Sequence, residues 1–185
     1  TFQSVANGSF SFNYTATGQQ TKVVASDAAA DDNFGNAVAF SGDTIVVGAY
    51  LNNIGAVADQ GSAYVFTRSG SGWTFQQQLS ASDGASGDIF GISVAISGDT
   101  IVIGASQDDI GTTSDQGSAY VFTRSAGVWT QQAKLIANNG GAGGISDRFG
   151  SSVAISGDTI AVATTNSYSI YIFTREGIVW TQQQQ

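Results

Sequence analysis

Carboxylates are the side chains in this sequence whose spacing points most directly to chemistry. Histidine and cysteine are both absent. That removes the commonest general base and the thiolate nucleophile. Most of the 14 acidic residues fall in phase with one another. Asp43, Asp99 and Asp158 each follow a Ser-Gly pair. Asp32, Asp88 and Asp147 stand two positions before a Phe-Gly pair, and Asp27 and Asp83 stand seven before it. The stretch Asp83-Gly84-Ala85-Ser86-Gly87-Asp88 gathers oxygen donors in one loop. Calcium takes about six to eight oxygen ligands, so Asp83 and Asp88 are candidate calcium ligands, and calcium is the one cofactor to consider. The alternative is structural: Asp in these places caps turns and bonds loop backbone. A catalytic site usually breaks the symmetry of a repeat, and no carboxylate pair does so here. The sequence therefore assigns no catalytic residue and predicts a protein that is not an enzyme.

The elements that position these residues are repeated strands. Phe-Gly recurs at 34–35, 90–91 and 149–150, about 56 and 59 residues apart. Each unit carries four strand signals. The first covers Ala37–Phe40, Ser93–Ile96 and Ser152–Ile155. The second covers Thr44–Ala49, Thr100–Ala105 and Thr159–Ala163, continuously apolar as in a sheet buried on both faces. Ser-Gly-Asp-Thr links them each time, a two-residue hairpin signal in which Gly takes positive φ. The third covers Ser62–Thr67, Ser118–Thr123 and Ser169–Thr174. The fourth opens at Trp73, Trp129 and Trp180, and alternation predicts Trp73, Phe75 and Leu79 on one face with Thr74, Gln76 and Gln78 on the other. The phase of the Trp residues points to packing between units rather than sugar stacking. Arg68, Arg124 and Arg175 end the third strands close to the acidic positions, where structural ion pairs are expected.

Four antiparallel strands returning every ~50 residues predict an all-β fold of propeller blades. A β-solenoid is the alternative, but its coils are shorter. The expected architecture is a β-propeller-type array of about three four-stranded antiparallel blades plus an N-terminal strand segment. The units run over 22–79, 80–135 and 136–185. In residues 1–21, Phe10, Phe12 and Tyr14 alternate with polar residues and make an aromatic face suited to strand addition or assembly. The long loops Leu51–Gln60 and Gln107–Gln116 are absent from the third unit. Loops on a rigid scaffold carry recognition, so Asn52, Asn53, Asp59, Asp108, Asp109 and Asp115 are the candidate partner contacts, for a glycan or a protein.

The composition narrows the class further. A net charge of −8 works against binding to phosphate backbones or anionic membranes. No run of about 18 apolar residues suggests a membrane span. Charge is sparse at 11% of residues, and Ser, Thr, Asn and Gln carry the polarity. That pattern fits an exported protein. The chain opens on Thr1, so either a removed signal segment or a longer parent chain is expected.

Phe34-Gly35…Val47-Gly48-Ala49 and Phe90-Gly91…Ile103-Gly104-Ala105 resemble FG-GAP repeats, the blade units of the integrin α-subunit propeller and of many bacterial surface proteins. Ser82–Ala105 is closest to the bacterial subtype. The resemblance implies a propeller with structural or binding roles at the cell surface or outside the cell. Three departures stand out. The Pro that usually follows Gly-Ala is replaced by Tyr50, Ser106 and Thr164, and Ala163 replaces Gly in the third unit. The calcium loop of integrin-type repeats is reduced to Ser-Gly-Asp. The family's propellers have about seven blades, and this chain encodes about three, leaving two sheet faces open. A fragment of a longer propeller, a ring completed by pairing of chains, or a head-to-tail filament would each cover them. The leading expectation is a non-enzymatic extracellular structural protein that forms a homo-oligomer or polymer through blade faces and terminal strands. The alternative is an adhesive or lectin-like propeller.

Overall fold

A computed structural model describes residues 4–5, 9–10, 22–25, 27, 29, 31–138 and 146–183. Among them there is no helix, and the strands form three four-stranded antiparallel sheets and one small hairpin. The hairpin pairs β1 (Ser4–Val5) with β2 (Ser9–Phe10). Phe10 therefore ends a short paired strand. Phe12 and Tyr14, the rest of the expected aromatic face, lie outside the described residues.

Blade 1 comprises β3 (Val38–Ser41), β4 (Thr44–Ala49), β5 (Ser62–Ser69) and β6 (Gly72–Leu79). Blade 2 comprises β7 (Ser93–Ser97), β8 (Thr100–Ala105), β9 (Ser118–Ser125) and β10 (Val128–Leu135). Blade 3 comprises β11 (Ser152–Ser156), β12 (Thr159–Ala163), β13 (Ile170–Glu176) and β14 (Val179–Gln182). Each is a meander in chain order. The first strands lie side by side, β3 against β7 and β7 against β11. The result is a row of propeller-like blades that does not close.

Turn chemistry fixes the register. Ser41 faces Thr44, so Gly42-Asp43 is a two-residue loop, with Gly42 at φ 56°. Gly98 and Gly157 repeat the geometry at 57° and 55°. Positive φ at the first loop residue matches the twist of the flanking strands, and Gly adopts it without strain. Once this turn is set, alternate side chains of β4 fall on opposite faces, and each face meets a different neighbour.

Between blades 1 and 2, Val46, Ala63, Val65 and Leu79 pack against Phe90, Ile101, Ile103, Tyr120, Phe122 and Trp129. Between blades 2 and 3, Val102, Ala119, Val121 and Leu135 pack against Phe149, Ile160, Val162 and Phe173. Phe90 and Phe149 are fully buried, each burial contributing about 2–3 kcal/mol. Each stands edge-on to a Tyr and a Phe of its own blade, with Phe90 5.4 Å from Tyr120 and 6.0 Å from Phe122. The Phe of the second and third Phe-Gly pairs is thus an inter-blade packing residue.

The outer strands correct the expected alternation. In β6, Val65 pairs with Gln77 but Phe66 pairs with Phe75, so Gln76 is an extra, bulged residue. In β10, Gln132 is bulged in the same way, between Gln131 and Ala133. A bulge flips the parity of everything beyond it. Gln78 therefore shares the face of Trp73, Phe75 and Tyr64, and Leu79 turns to the opposite face with Ala63 and Val65. The letters W-T-F-Q-Q-Q-L alternate smoothly through the bulge, so the sequence pattern conceals it.

Candidate functional site

The carboxylates converge where the long loop of a blade meets its third and fourth strands. In blade 2, β9 presents Ser118 and Tyr120, β10 presents Lys134, the 106–117 loop presents Asp108, and the loop after β6 presents Asp83. The Tyr120 hydroxyl donates to Asp83 Oδ1 and Asp108 Oδ2, both at 2.9 Å. Lys134 Nζ lies 2.7 Å from Asp83 Oδ2 and 2.7 Å from Asp108 Oδ2. Ser118 Oγ donates to Asp108 Oδ2 at 2.5 Å. The Asp108 side chain is only 6% exposed, whereas Asp83 is 50% exposed.

Blade 1 builds the same cluster from neutral parts. Asn52 replaces Asp108, and Gln78 replaces Lys134. Gln78 Nε2 donates to Tyr64 at 3.0 Å, Asp27 Oδ2 at 3.2 Å and Asn52 Oδ1 at 3.3 Å. Ser62 Oγ donates to Asn52 Oδ1 at 3.1 Å, and Tyr64 donates to Asp27 Oδ1 at 2.6 Å. The two positions have changed together between repeats: Asn with Gln, Asp with Lys. A buried carboxylate without its ammonium is costly, so one change requires the other.

The electrostatics hold these groups in their resting states. Burial opposes the Lys134 charge, but hydrogen bonds to Asp108, Asp83 and Tyr120 outweigh it and raise its pKa well above the usual lysine value. Burial also opposes ionisation of Asp83, yet bonds from Lys134 and Tyr120 prevail and lower its pKa. Burial, with the nearby carboxylates, raises Tyr64 and Tyr120 well above the usual phenol value. A general acid or base works best with a pKa near the operating pH, and these shifts run away from it.

Asp88 is buried and its Oδ2 accepts the backbone N–H of Ala85 at 2.6 Å; burial is the main reason its pKa is raised. Asp32 accepts from Ala29 at 2.7 Å in the same role. Asp83 and Asp88 thus each have protein donors, and among the described residues no three acidic side chains gather as a metal cage. Asp43, Asp99 and Asp158 pair with Arg68, Arg124 and Arg175 at 2.6, 2.6 and 2.5 Å. Each guanidinium lies over Trp73, Trp129 or Trp180, with the centroid 5.6, 4.9 or 5.0 Å away.

The long loops reach the next blade. The carbonyls of Ala58, Asp59 and Gln60 accept the N–H groups of Gly87, Ile89 and Phe90 at 3.1, 3.2 and 2.9 Å. Asp115 and Gln116 accept from Arg148 and Phe149 at 3.1 and 2.9 Å. Asn53 and Asp109 brace the loops from within, accepting the N–H of Asp59 at 2.8 Å and of Asp115 at 2.9 Å. Asn52 and Asp108 are buried in the clusters; Asn53, Asp59 and Asp109 are exposed, and Asp115 is half-buried. Four of the six candidate loop residues are therefore paired, Asn53 with Asp59 and Asp109 with Asp115, and the carbonyls of Asp59 and Asp115 belong to an inter-blade clamp.

Two kinds of glycine permit that approach. A Cβ on Gly48 or Gly104 would run into the carbonyl oxygen of Gly91 or Gly150 on the next blade. Gly61 and Gly117, at φ 83° and 82°, lie against the backbone of Phe90 and Phe149. The outer strands add a further lock: Trp129 Nε1 donates to Gln76 at 3.2 Å and Trp180 Nε1 to Gln132 at 3.1 Å. Both acceptors are the bulged residues, so the bulge aims each Gln at its neighbour's Trp.

Sequence reasoning missed Tyr64, Tyr120, Gln78 and Lys134. The paired change of 52 with 78 and of 108 with 134 was the available signal. The FG-GAP repeat family matches residues 17–66, 73–122 and 129–173. The chain belongs to the FG-GAP repeat family. Each FG-GAP match from Trp73 or Trp129 starts on an outer strand and runs through the first three strands of the next blade. The first match starts at residue 17, in phase with those tryptophans. FG-GAP repeats are typical of extracellular and surface proteins, and their propeller fold is generally a structural or binding domain. No curated protein matches this chain.

Proposed function

We propose that this chain is a non-enzymatic structural module of an extracellular or cell-surface protein, working through blade-to-blade packing. The observation that carries this reading is the fate of the carboxylates. Asp83 and Asp108 close the Tyr120–Lys134 cluster, Asp99 holds Arg124, and Asp88 caps backbone. The shifted groups of the cluster hold their protons or charges firmly rather than standing ready to exchange them. Calcium has no role in this reading. Fractionation of the producing cells with an antibody to the folded chain tests it. Recovery at the surface or in the medium is expected; retention in the cytoplasm overturns it.

A second reading is a binding propeller for a glycan or surface protein. It is favoured by the exposed tips of both long loops, including Asn53, Gly55, Asp109 and Gly111. A glycan array in millimolar calcium tests this reading, with binding lost when the tips are replaced by Gly-Ser.

A further inference from the structure

The two ends of the blade row are chemically different. At both internal interfaces the leading blade supplies a glycine in its second strand, an alanine in its third, a glycine just before that strand, and a long loop. These are Gly48, Ala63 and Gly61 in blade 1 and Gly104, Ala119 and Gly117 in blade 2. In blade 3 the same positions hold Ala163, Ile170 and Tyr168, and the loop is missing. Tyr168 is 91% exposed and Ile170 is 65% exposed, whereas Ala63 and Ala119 are fully buried. A Cβ at the second-strand position meets the backbone of an incoming blade, as it would at Gly48 and Gly104. Blade 3 has thus lost the two contact glycines, the small third-strand residue and the loop that seat a following blade, although Thr159 and Gln183 keep the places of Thr100 and Gln132.

Blade 1 has kept every feature that receives one. Gly35 keeps φ 96°, matching Gly91 at 95° and Gly150 at 90°. Those two lie against the carbonyls of Ser62 and Ser118, whereas among the described residues nothing lies within 4 Å of a Cβ placed on Gly35. Arg124 and Arg175 reach Thr44 and Thr100 of the blade before them at 3.0 and 3.2 Å, while Arg68 is 48% exposed. Exposure is concentrated on the first strand. Val38 and Phe40 are 60% and 77% exposed, where Ile96 of blade 2 is 9% exposed. Further out on the same face, Val23 and Ala25 pack with Tyr64 and Phe66, as Leu79 and Ala81 do in the next interface. Val23 and Ala25 thus hold the places that Leu79 and Ala81 hold in the next interface.

We infer that the Val38–Phe40 face of blade 1, with Gly35 and Arg68, is an interaction surface for the inner strands of another FG-GAP-type blade. That blade carries glycine at both contact positions and the long loop between them. It is not the third blade of a second copy of this chain. The inference rests on the packing role proposed above but does not depend on cellular location. It narrows the expected homo-oligomer: a head-to-tail polymer through blade faces meets Ala163, Ile170 and Tyr168.

The test converts blade 3 into the missing partner. In one variant Ala163→Gly, Thr164→Ala and Ile170→Ala are combined with replacement of 165–168 by a copy of 106–117. Analytical ultracentrifugation of the full chain follows association, and circular dichroism checks folding. The native chain is expected to show no growth in mass with concentration through this face. The variant is expected at least to double its weight-average mass, and Phe40→Asp, on the exposed receiving face, should abolish that gain. A folded variant that stays monomeric overturns the inference. So does a native chain that forms open-ended assemblies dissolved by Phe40→Asp. If the graft does not fold, the native chain with and without Phe40→Asp still decides: assembly sensitive to it refutes the inference, and no assembly through this face supports it. Failure here with the protein found at the cell surface would leave the proposed function standing; success with a cytoplasmic protein would do the reverse.

Discussion

The paired change between repeats gives a quantitative prediction. Lys134→Gln removes the ammonium that lies 2.7 Å from Asp108, a carboxylate whose side chain is 6% exposed. Breaking a buried pair by removing one partner costs about 3–5 kcal/mol. Lys134 is itself 26% exposed, and Ser118 and Tyr120 still donate to Asp108, so the low end applies, about 3 kcal/mol. Asp108→Asn leaves Lys134 its contact with the half-exposed Asp83, and about 1.5 kcal/mol is expected. The double substitution recreates the Asn52–Gln78 pair of blade 1 and should stand within about 1 kcal/mol of the native chain. The cycle is therefore non-additive by at least about 3.5 kcal/mol. Urea denaturation of the four proteins at pH 7 measures it, and Lys134→Gln alone should lower Tm by about 6–10 °C. Lys134 has a raised pKa, so its contribution is complete below the unfolded lysine value of about 10.4 and is lost only as pH rises through the folded value. The coupling should not change between about pH 6 and 9. A double variant destabilised by the sum of the singles would refute the reasoning, because the two repeats would then not be exchangeable solutions to one packing problem.

Gly104→Ala should separate blades 2 and 3, because the added Cβ meets the Gly150 carbonyl; a loss of about 3 kcal/mol in urea denaturation is expected, and a neutral result would mean the blades can slide. Trp129→Phe removes the indole N–H that donates to Gln76 and should cost about 1–2 kcal/mol in urea denaturation, with Gln76→Ala in that background costing only the bond from Gln76 to the Gly127 carbonyl. The Asp83 pKa is lowered, so its contribution is present above the unfolded value of about 3.9 and is lost as pH falls toward the folded value. Asp83→Asn should flatten the fall in stability below about pH 4, by roughly 0.5 kcal/mol at this half-exposed group. Asp88, with a raised pKa, acts in the opposite sense, favouring the fold as pH drops from its folded value towards about 3.9, and Asp88→Asn should remove that gain.

The blades were legible because their signals are local and repeated. Ser-Gly-Asp-Thr marks a two-residue hairpin, and the turn then fixes which residues of Ile101-Val102-Ile103 face which neighbour. The in-phase Arg and Asp predicted the ion pairs, while the stacking of each Arg on its Trp came from the structure. The bulge at Gln76 was not legible, since the alternation of letters runs through it while the parity of the chain does not. The clamps were hidden for a different reason. Ala58, Asp59 and Gln60 work through backbone carbonyls, which any residue supplies, so no side chain in the sequence marks the clamp. Asp27 and Asp83 looked like turn residues because their partners, Tyr64 and Tyr120, come from strands 37 positions away. Ala163, by contrast, stood out as a lone departure, and its meaning needed the interface that Gly48 and Gly104 make.

The account turns on whether the long loops hold one blade to the next. Native-state hydrogen exchange at the amides of Ile89, Phe90, Arg148 and Phe149 reads this directly, because each donates to a loop carbonyl across the blade interface. Protection approaching that of the β8 and β9 core is the predicted result; exchange at the rate of an open loop would show that the loops do not clamp the blades and would contradict the account.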